Sequence, residues 1–416
     1  TSRSRLAKLP LNYRPSIPNM AQQLRPHSTT TSPGGAKCFL FAAIAVCGLM
    51  GCAKHSSESK SIAEESEIKT MGATNLSDLV SDFKIVPLET SDSIIIGRIS
   101  SIKKRGDALF LVTDNRLLKF SLSGNFVGEL IHKGPGPDEV IDIADYEVRG
   151  NDAYILAPGK LIVKNHITGE KIKEIPMPEY VGWGRLRDTD SGLLVMALQP
   201  KEKENSILVM DVDAGEVKSE FFPASKDWGL SKGMELVELG DGKYIHQYGQ
   251  SADLAVITPA TQSVDSIQLV SSSDAIGADE YSERSKQLHS SKDLGLTTYH
   301  GLTATGSNLF WMGIGADGMT LYLYDKNTKS TIAVPGNELK DDLSWADNIM
   351  ENMMIGMLAF NESDDNAFIS QLDPAMLKDA VEGKSLKFEY AYKVLDKVGE
   401  DANPLVVFLE FKPIKN

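Results

Sequence analysis

Cysteine is scarce in this chain of 416 residues, and aromatic residues make up only 7% of it. The three cysteines, Cys38, Cys47 and Cys52, all lie in the first eighth of the sequence. Disulfides, thiolate metal sites and cysteine nucleophiles are therefore excluded from everything that follows Cys52. The apolar run Cys38–Gly51 is too short to cross a bilayer, which takes about 20 residues.

Acidic residues are absent from the first 51 positions, which carry six basic ones. From Cys52 onward, 37 Lys and Arg residues stand against 57 Asp and Glu residues, which gives a net charge of −20. So acidic a surface repels nucleic acid and anionic lipid. We therefore expect no nucleic-acid partner.

The basic start and the apolar run together predict a signal peptide over residues 1–51. Its end, LMGC, resembles a bacterial lipobox, so we predict that Cys52 carries lipid and holds the protein on a membrane. The alternative is an ordinary signal peptide in which Cys52 is incidental. Because Met20 would give a signal of ordinary length, residues 1–19 are expected not to be translated. Residues 52–75 are rich in Ser, Glu and Lys, which predicts a flexible tether.

The remainder, residues 76–416, has the pattern of a β-sheet protein built from a repeated unit. Short apolar runs such as ALFLVT, AYILA and TLYLYD are bounded by Gly, Asp and Asn turns. Units of about 45 residues with four short strands are typical of β-propeller blades. The turn before the last strand of each unit recurs at spacings of 45, 46, 47 and 66 residues, near Gly124, Gly169, Gly215, Gln262 and Thr328.

The repeat predicts an all-β fold, a six-bladed β-propeller with short helical insertions. The opening run Asp82–Thr90 is predicted to pair in the last blade and to close the ring. The helical insertions are predicted at Asp279–Ser290 and Pro374–Glu382. The blades are predicted at about residues 98–131, 143–176, 184–223, 234–270 and 299–334, with a distorted sixth from Trp345 to Asn416.

The opening of this region resembles a known family. The stretch VPLETSDSIIIGRISSIKKRGDALFLVTDNRLLKFSLSGNFVGELIHKGPGPDE is similar to the six-bladed β-propeller lipoproteins of Bacteroides and related bacteria. The shared features are PLET, an I..I innermost strand, a strand that ends in Asp, an F...G.F turn and a G.GPGE loop. The resemblance covers about residues 83–412, and these proteins are also similar to NHL-repeat propellers. It implies the fold and an anchor in the cell envelope, at the outer membrane, but little about chemistry.

The stretch KGPGPDE is interpreted as the loop that crosses from the outermost strand of blade one to the innermost strand of blade two. Gly134 and Gly136 are expected to supply unusual φ values, and the two prolines to stiffen the crossing. A phosphate loop is not predicted, because no helix and no Walker-type lysine follow the glycines. Lys133, Asp138 and Glu139 remain candidate ligand contacts where the loop emerges.

No catalytic motif of the HExxH or GxSxG type occurs, so no catalytic residue, metal site or cofactor is predicted. Propeller faces carry the loops of all blades, which favours binding. Channel-facing places are expected for Asp142, Asp145, Arg185 and Asp347. The candidate ligand-binding residues, on loops of one face or at the channel mouth, are Lys133, Asp138, Glu139, Trp183, Trp228, Glu235, His300 and Trp345.

The predicted function is that of a lipid-anchored envelope propeller that binds a glycan, a peptide or an envelope protein. The alternative is a channel-mouth hydrolase or lactonase, with a divalent cation held by Glu235 and His300. Fold alone does not separate the two classes.

Overall fold

The computed structural model describes residues 61–181, 184–197, 204–223, 236–284, 295–340, 342, 366–381, 393–399 and 402–414. Within these ranges six small sheets are arranged as the blades of a ring, and this confirms the predicted six-bladed β-propeller. No helix among the described residues is long and apolar enough to span a membrane.

The elements follow one another along the chain blade by blade. The N-terminal segment holds β1 (Ser61–Glu64), a 3-10 turn (Glu65–Glu67), β2 (Lys69–Thr70), β3 (Thr74–Asn75), α1 (Leu76–Leu79) and β4 (Val80–Pro87). Blade one holds β5 (Ile99–Arg105), β6 (Ala108–Thr113), β7 (Arg116–Ser121), β8 (Phe126–Lys133) and β9 (Glu139–Val140). Blade two holds β10 (Asp145–Arg149), β11 (Asp152–Ala157), β12 (Lys160–Asn165) and β13 (Lys171–Pro176).

The later blades repeat this plan. Blade three follows a 3-10 turn (Glu179–Val181) and holds β14 (Arg185–Thr189), β15 (Gly192–Met196), β16 (Asn205–Asp211) and β17 (Glu216–Pro223). Blade four holds β18 (Leu236–Gly240), β19 (Lys243–Gln247), β20 (Asp253–Thr258) and β21 (Ser263–Ser271). After α2 (Ala278–Arg284), blade five holds β22 (Thr298–Ala304), β23 (Asn308–Gly315), β24 (Gly318–Asp325) and β25 (Ser330–Pro335). Then come β26 (Leu339–Lys340), β27 (Ala367–Leu372), α3 (Pro374–Val381) and β28 (Leu405–Phe411). α2 begins one residue before the first predicted helical insertion, and α3 lies within the second.

The core of the ring consists of apolar clusters, each lying between neighbouring blades. Central strands such as β6, with the sequence ALFLVT, are buried along their whole length because both of their faces pack against a blade. The cluster between blades six and one joins Ile369 and Val406 to Ile102, Leu109 and Phe120. Six such clusters are described, one for each interface, so the packing runs all the way around the ring.

The ring is closed by a strand from the N-terminal segment. β4 pairs with β28 in antiparallel register from Pro87 opposite Leu405 to Val80 opposite Phe411. This confirms the prediction that the run Asp82–Thr90 pairs in the last blade. The first and last parts of the propeller therefore share one sheet, in which β4 covers the edge of β28.

The turns that the spacing predicted have the backbone geometry of tight turns. Gly124, Gly169 and Gly215 all have positive φ, and so do Gln262 and Lys329 at the corresponding turns of blades four and five. At Gly124 a Cβ atom would lie 2.0 Å from the carbonyl oxygen of Pro87, so only glycine fits. This turn packs directly on the closing strand β4.

The predicted flexible tether is wrong from residue 61 onward. β1 pairs in parallel with β21 of blade four, β2 pairs in parallel with β25 of blade five, and β3 pairs with β26. Ala63 is buried, and Ile62 and Ile68 pack on the cluster between these two blades. This polar stretch packs on the propeller through only a few apolar residues, because the edges of β21 and β25 also supply backbone hydrogen bonds to it. Residues 52–60 lie outside the described ranges.

Candidate functional site

A cavity of about 620 Å³ opens at one end of the central channel, and we call it the channel-mouth pocket. The turns that follow the innermost strands of blades one, two and five line it, through Gly106, Gly150 and Gly306. Because successive strands run antiparallel, these turns lie at the end of the channel opposite to the blade-to-blade crossings. The lining side chains used below are Arg105, Glu147, Arg149, Arg187, Asp188 and Tyr244.

The floor of the pocket is a network of buried charges. Glu147, on the innermost strand of blade two, is 2% exposed. Its Oε1 accepts a hydrogen bond from Nε of Arg105 at 2.8 Å, and its Oε2 accepts one from Nη2 of Arg105 at 3.1 Å. The Lys103 ammonium lies 3.6 Å from the same carboxylate. This two-point pairing fixes the Arg105 guanidinium at the floor.

Asp145 continues the network one layer deeper and links three blades. Its Oδ1 lies 3.1 Å from Nζ of Lys103 in blade one. Its Oδ2 accepts a hydrogen bond from the backbone N–H of Leu186 at 2.9 Å and lies 3.5 Å from Nη1 of Arg187, both in blade three. The acidic strand of blade two is therefore held between basic strands of blades one and three.

The protonation of these two carboxyls follows from their neighbours. Burial raises the pKa of Glu147, but the charges of Arg105 and Lys103 outweigh it and hold that pKa far below its ordinary value. Burial likewise opposes ionisation of Asp145, and Lys103 with Arg187 keeps its pKa below the ordinary value. Both groups are thus charged at neutral pH. Each contributes stability that is present above the unfolded-state pKa and lost on acidification.

The rim of the pocket carries charges that are more exposed. Nη1 of Arg149 lies 3.3 Å from Oδ1 of Asp188, and both side chains are more than a third exposed. Burial raises the pKa of Asp188, although Arg149 opposes the shift. The Tyr244 hydroxyl donates a hydrogen bond to the Asp188 carbonyl at 2.8 Å, and burial raises the pKa of this hydroxyl. The rim of the pocket therefore presents both a cation and an anion to solvent.

One wall of the pocket is an imidazole whose tautomer the contacts define. Nε2 of His166 lies 3.0 Å from the carbonyl oxygen of Gly150, which can only accept, so Nε2 carries the hydrogen. Nδ1 then accepts from the ammonium of Lys119 at 3.0 Å. The ring packs edge-on against Phe110 at 5.2 Å between centroids. Two hydrogen bonds and one aromatic contact therefore hold the imidazole, and Ile167 stands exposed beside it.

The structure does not bring the predicted ligand-binding residues together. Lys133 ends the outermost strand of blade one, and Glu139 pairs beside that strand in β9. Asp138 lies 2.9 Å from Lys171 of blade two, and its hydrogen bond to Lys171 lowers the pKa of Asp138. The prediction that Lys133 and Glu139 lie at the channel mouth is wrong. The loop folds back on the outer edge of blade one, where β9 pairs with β8, before the chain returns to the axis of the ring.

The loop KGPGPDE lies between β8 and β10, as predicted, but its glycines do not have the predicted unusual φ values. Neither Gly134 nor Gly136 is among the described residues with positive φ. A Cβ atom at Gly134 would lie 2.0 Å from Oε2 of Glu139, and one at Gly136 would lie 2.9 Å from it. The same oxygen accepts the Gly136 N–H at 2.9 Å. The Glu139 carboxylate therefore lies inside the loop, beside both glycines.

The remaining candidates are less informative. His300 lies on the innermost strand of blade five, as predicted, where burial lowers the pKa of its imidazole and Nε2 lies 3.0 Å from Oγ1 of Thr298. Among the described residues, no group of three His, Cys, Asp or Glu side chains is placed to hold a metal ion. Outside the described ranges lie Cys52, Trp183, Trp228, Glu235, Trp345 and Asp347, so their predicted roles remain predictions.

The chain matches the model of a known protein family over most of its length. A family described as a domain of unknown function, DUF4934, matches residues 59–410, and the chain belongs to it. The match begins close to β1, in agreement with the ordered N-terminal segment. No curated protein matches the chain.

Three solved structures illustrate what this chain is similar to. A protein from Bacteroides fragilis NCTC 9343, described as exported, is 20% identical with a TM-score of 0.64, over 84% of this chain and 99% of that one. A streptogramin B lyase is 15% identical with a TM-score of 0.38, over 60% of this chain and 72% of its own. The extracellular domain of a one-component system from B. thetaiotaomicron is 14% identical with a TM-score of 0.36, over 56% of this chain and 29% of that one. At these identities the likeness concerns the fold alone.

Proposed function

We propose that this chain is a binding module of the bacterial cell envelope that takes a small polar ligand in the channel-mouth pocket, and that lipid on Cys52 holds it on the outer membrane. The pocket carries the proposal. Its volume of about 620 Å³ falls within the range of small-molecule sites, about 300–1,000 Å³. The anchor rests on the LMGC motif and on the exported B. fragilis protein of the same fold.

The buried charges beneath the pocket support a binding role. Well-packed apolar residues would often stabilise a fold as well as a buried ion pair does, or better. Glu147 is nevertheless buried beneath the cavity and pairs at 2.8 Å with the partly buried Arg105. Burying these charges carries a desolvation free energy penalty in every folded molecule. The same arrangement presents fixed polar groups to an incoming ligand, which a binding site needs.

The chemistry of the rim favours a short peptide. Arg149 and Asp188 offer opposite charges to the same occupant, and Asp107 and Glu238 add exposed carboxylates nearby. A peptide presents amide donors, amide acceptors and charged groups at this spacing. Stacking on a sugar needs an exposed ring face, whereas Tyr244 is 4% exposed.

The binding proposal is tested by screening short peptides and glycans against residues 61–416 and measuring the affinity of any hit by calorimetry. Arg149→Ala is expected to weaken binding about tenfold or more, equivalent to about 1.4 kcal/mol. Arg98→Ala is the matched control, since this exposed arginine lies outside the pocket and should leave affinity unchanged. Equal affinities for both variants would contradict the assignment, and a glycan hit would overturn the peptide class alone.

The anchor is tested separately. Cys52→Ser should release soluble protein or leave the signal peptide uncleaved, because the lipid attaches to this thiol. Mass spectrometry that found Cys52 unmodified within an intact mature chain would contradict the anchor. The hydrolase alternative needs a cation held by Glu235 and His300, and Glu235 lies outside the described residues.

A further inference from the structure

The N-terminal segment enters the ring at a defined place, the rim of blade four. Moving toward the N-terminus, the segment passes β26 at Thr74–Asn75, blade five at Lys69–Thr70 and blade four at Ser61–Glu64. Ser61 pairs beside Gln268 on the outermost strand of blade four. The chain that precedes residue 61 is therefore joined to the propeller at this rim.

The free length between this rim and the predicted lipid site is short. Eight residues, 53–60, separate Cys52 from Ser61. A link of this length spans at most about 30 Å, even when fully extended. A compact unit of this size is about 50 Å across by the scaling of globular domains. The link is thus too short for the lipid to reach around the ring.

We propose that the rim of blade four is the surface that faces the lipid bilayer, with the ring standing on edge. This inference rests on the proposed anchor at Cys52. In a six-bladed ring blade one lies opposite blade four, so the rim of blade one points away from the membrane. The axis of the channel then runs roughly along the bilayer, and the channel-mouth pocket opens sideways to the solvent.

The charges near the attachment point indicate that the rim stands off the lipid and does not insert. Glu64, Glu65 and Glu67 are exposed where the segment passes from blade four to blade five. Carboxylates are repelled by anionic headgroups. Short tethering therefore sets the orientation, and zwitterionic vesicles are the appropriate surface for its test.

The sequence allows a clean measurement, because no cysteine follows Cys52. The lipidated protein is placed in zwitterionic vesicles that contain an acceptor-labelled lipid, and a donor dye is attached at Ser266→Cys or at Val127→Cys. Ser266 is exposed on the rim of blade four, and Val127 is 56% exposed on the rim of blade one. The unsubstituted protein is the labelling control, since a lipidated Cys52 takes up no dye.

Energy transfer to the bilayer should be at least about twofold more efficient from position 266 than from position 127, given the ring diameter and the short link. Inserting about 20 Gly and Ser residues after Ser57 should remove the difference. Equal transfer from both positions in the unextended protein would overturn the orientation. Dye uptake by the unsubstituted protein, or failure to float with the vesicles, would overturn the anchor itself and so remove the basis of the orientation.

Discussion

Replacing Glu147 with glutamine should destabilise the propeller far more than an isolated charge change usually does. The side chain is 2% exposed and lies within 3.6 Å of both Arg105 and Lys103. Glu147→Gln keeps the shape but leaves the buried Lys103 and the partly buried Arg105 without their common anion. Removing one partner of a buried pair costs about 3–5 kcal/mol. Denaturant unfolding measures this loss, and Glu170→Gln, in an exposed turn, is the control at within about 0.5 kcal/mol.

The same variant should have a distinctive pH dependence. The folded-state pKa of Glu147 lies below the unfolded value of about 4.3. The stability that the charged form contributes is fully present above that value and is lost as the pH falls toward the lowered pKa. The gap between parent and Glu147→Gln should therefore be constant from about pH 5 to pH 7 and shrink below about pH 4. A loss under about 1 kcal/mol that ignores pH would refute the argument from buried charge.

Two further changes test the closure of the ring. Gly124→Ala should cost about 1–3 kcal/mol in denaturant unfolding, because φ is +87° and the new Cβ would meet the carbonyl oxygen of Pro87. Gly128→Ala is the control and should be nearly neutral, because the space around Gly128 is open. Equal effects of the two substitutions would refute the steric argument. Deleting Asp82–Thr90 should expose the edge of β28 and cause aggregation in light scattering, and a monomeric variant with the melting temperature of the parent would show that β4 is not needed for closure.

The fold could be predicted because its signals are local and repeated. The spacing of turns such as Gly124, Gly169 and Gly215 predicted the blades, and the same residues have the positive φ that these turns need. The closing strand could be predicted because a propeller requires one. Residues 61–75 could not, because their pairing depends on open edges of blades four and five that are distant in sequence.

The site was harder to predict because its residues act across blades. The innermost strands of blades one to three carry charges at every second position, at Lys103 and Arg105, at Asp145 and Glu147, and at Arg185 and Arg187. That period places each pair on one face of its strand. The sequence predicts that Asp145 and Arg185 face the channel, but it does not identify their partners, since each pairing depends on the register of neighbouring blades. The composition of the loop KGPGPDE made it a candidate site, yet its charged residues lie at the outer edge of the ring and not at the channel.

A structure of the complex with a ligand from the screen would test the central claim most directly. The account predicts that the ligand lies in the channel-mouth pocket, between Arg149 and Tyr244 and above the Glu147–Arg105 pair. A ligand found instead at the opposite end of the channel, or on the rim beside Lys133 and Asp138, would contradict it.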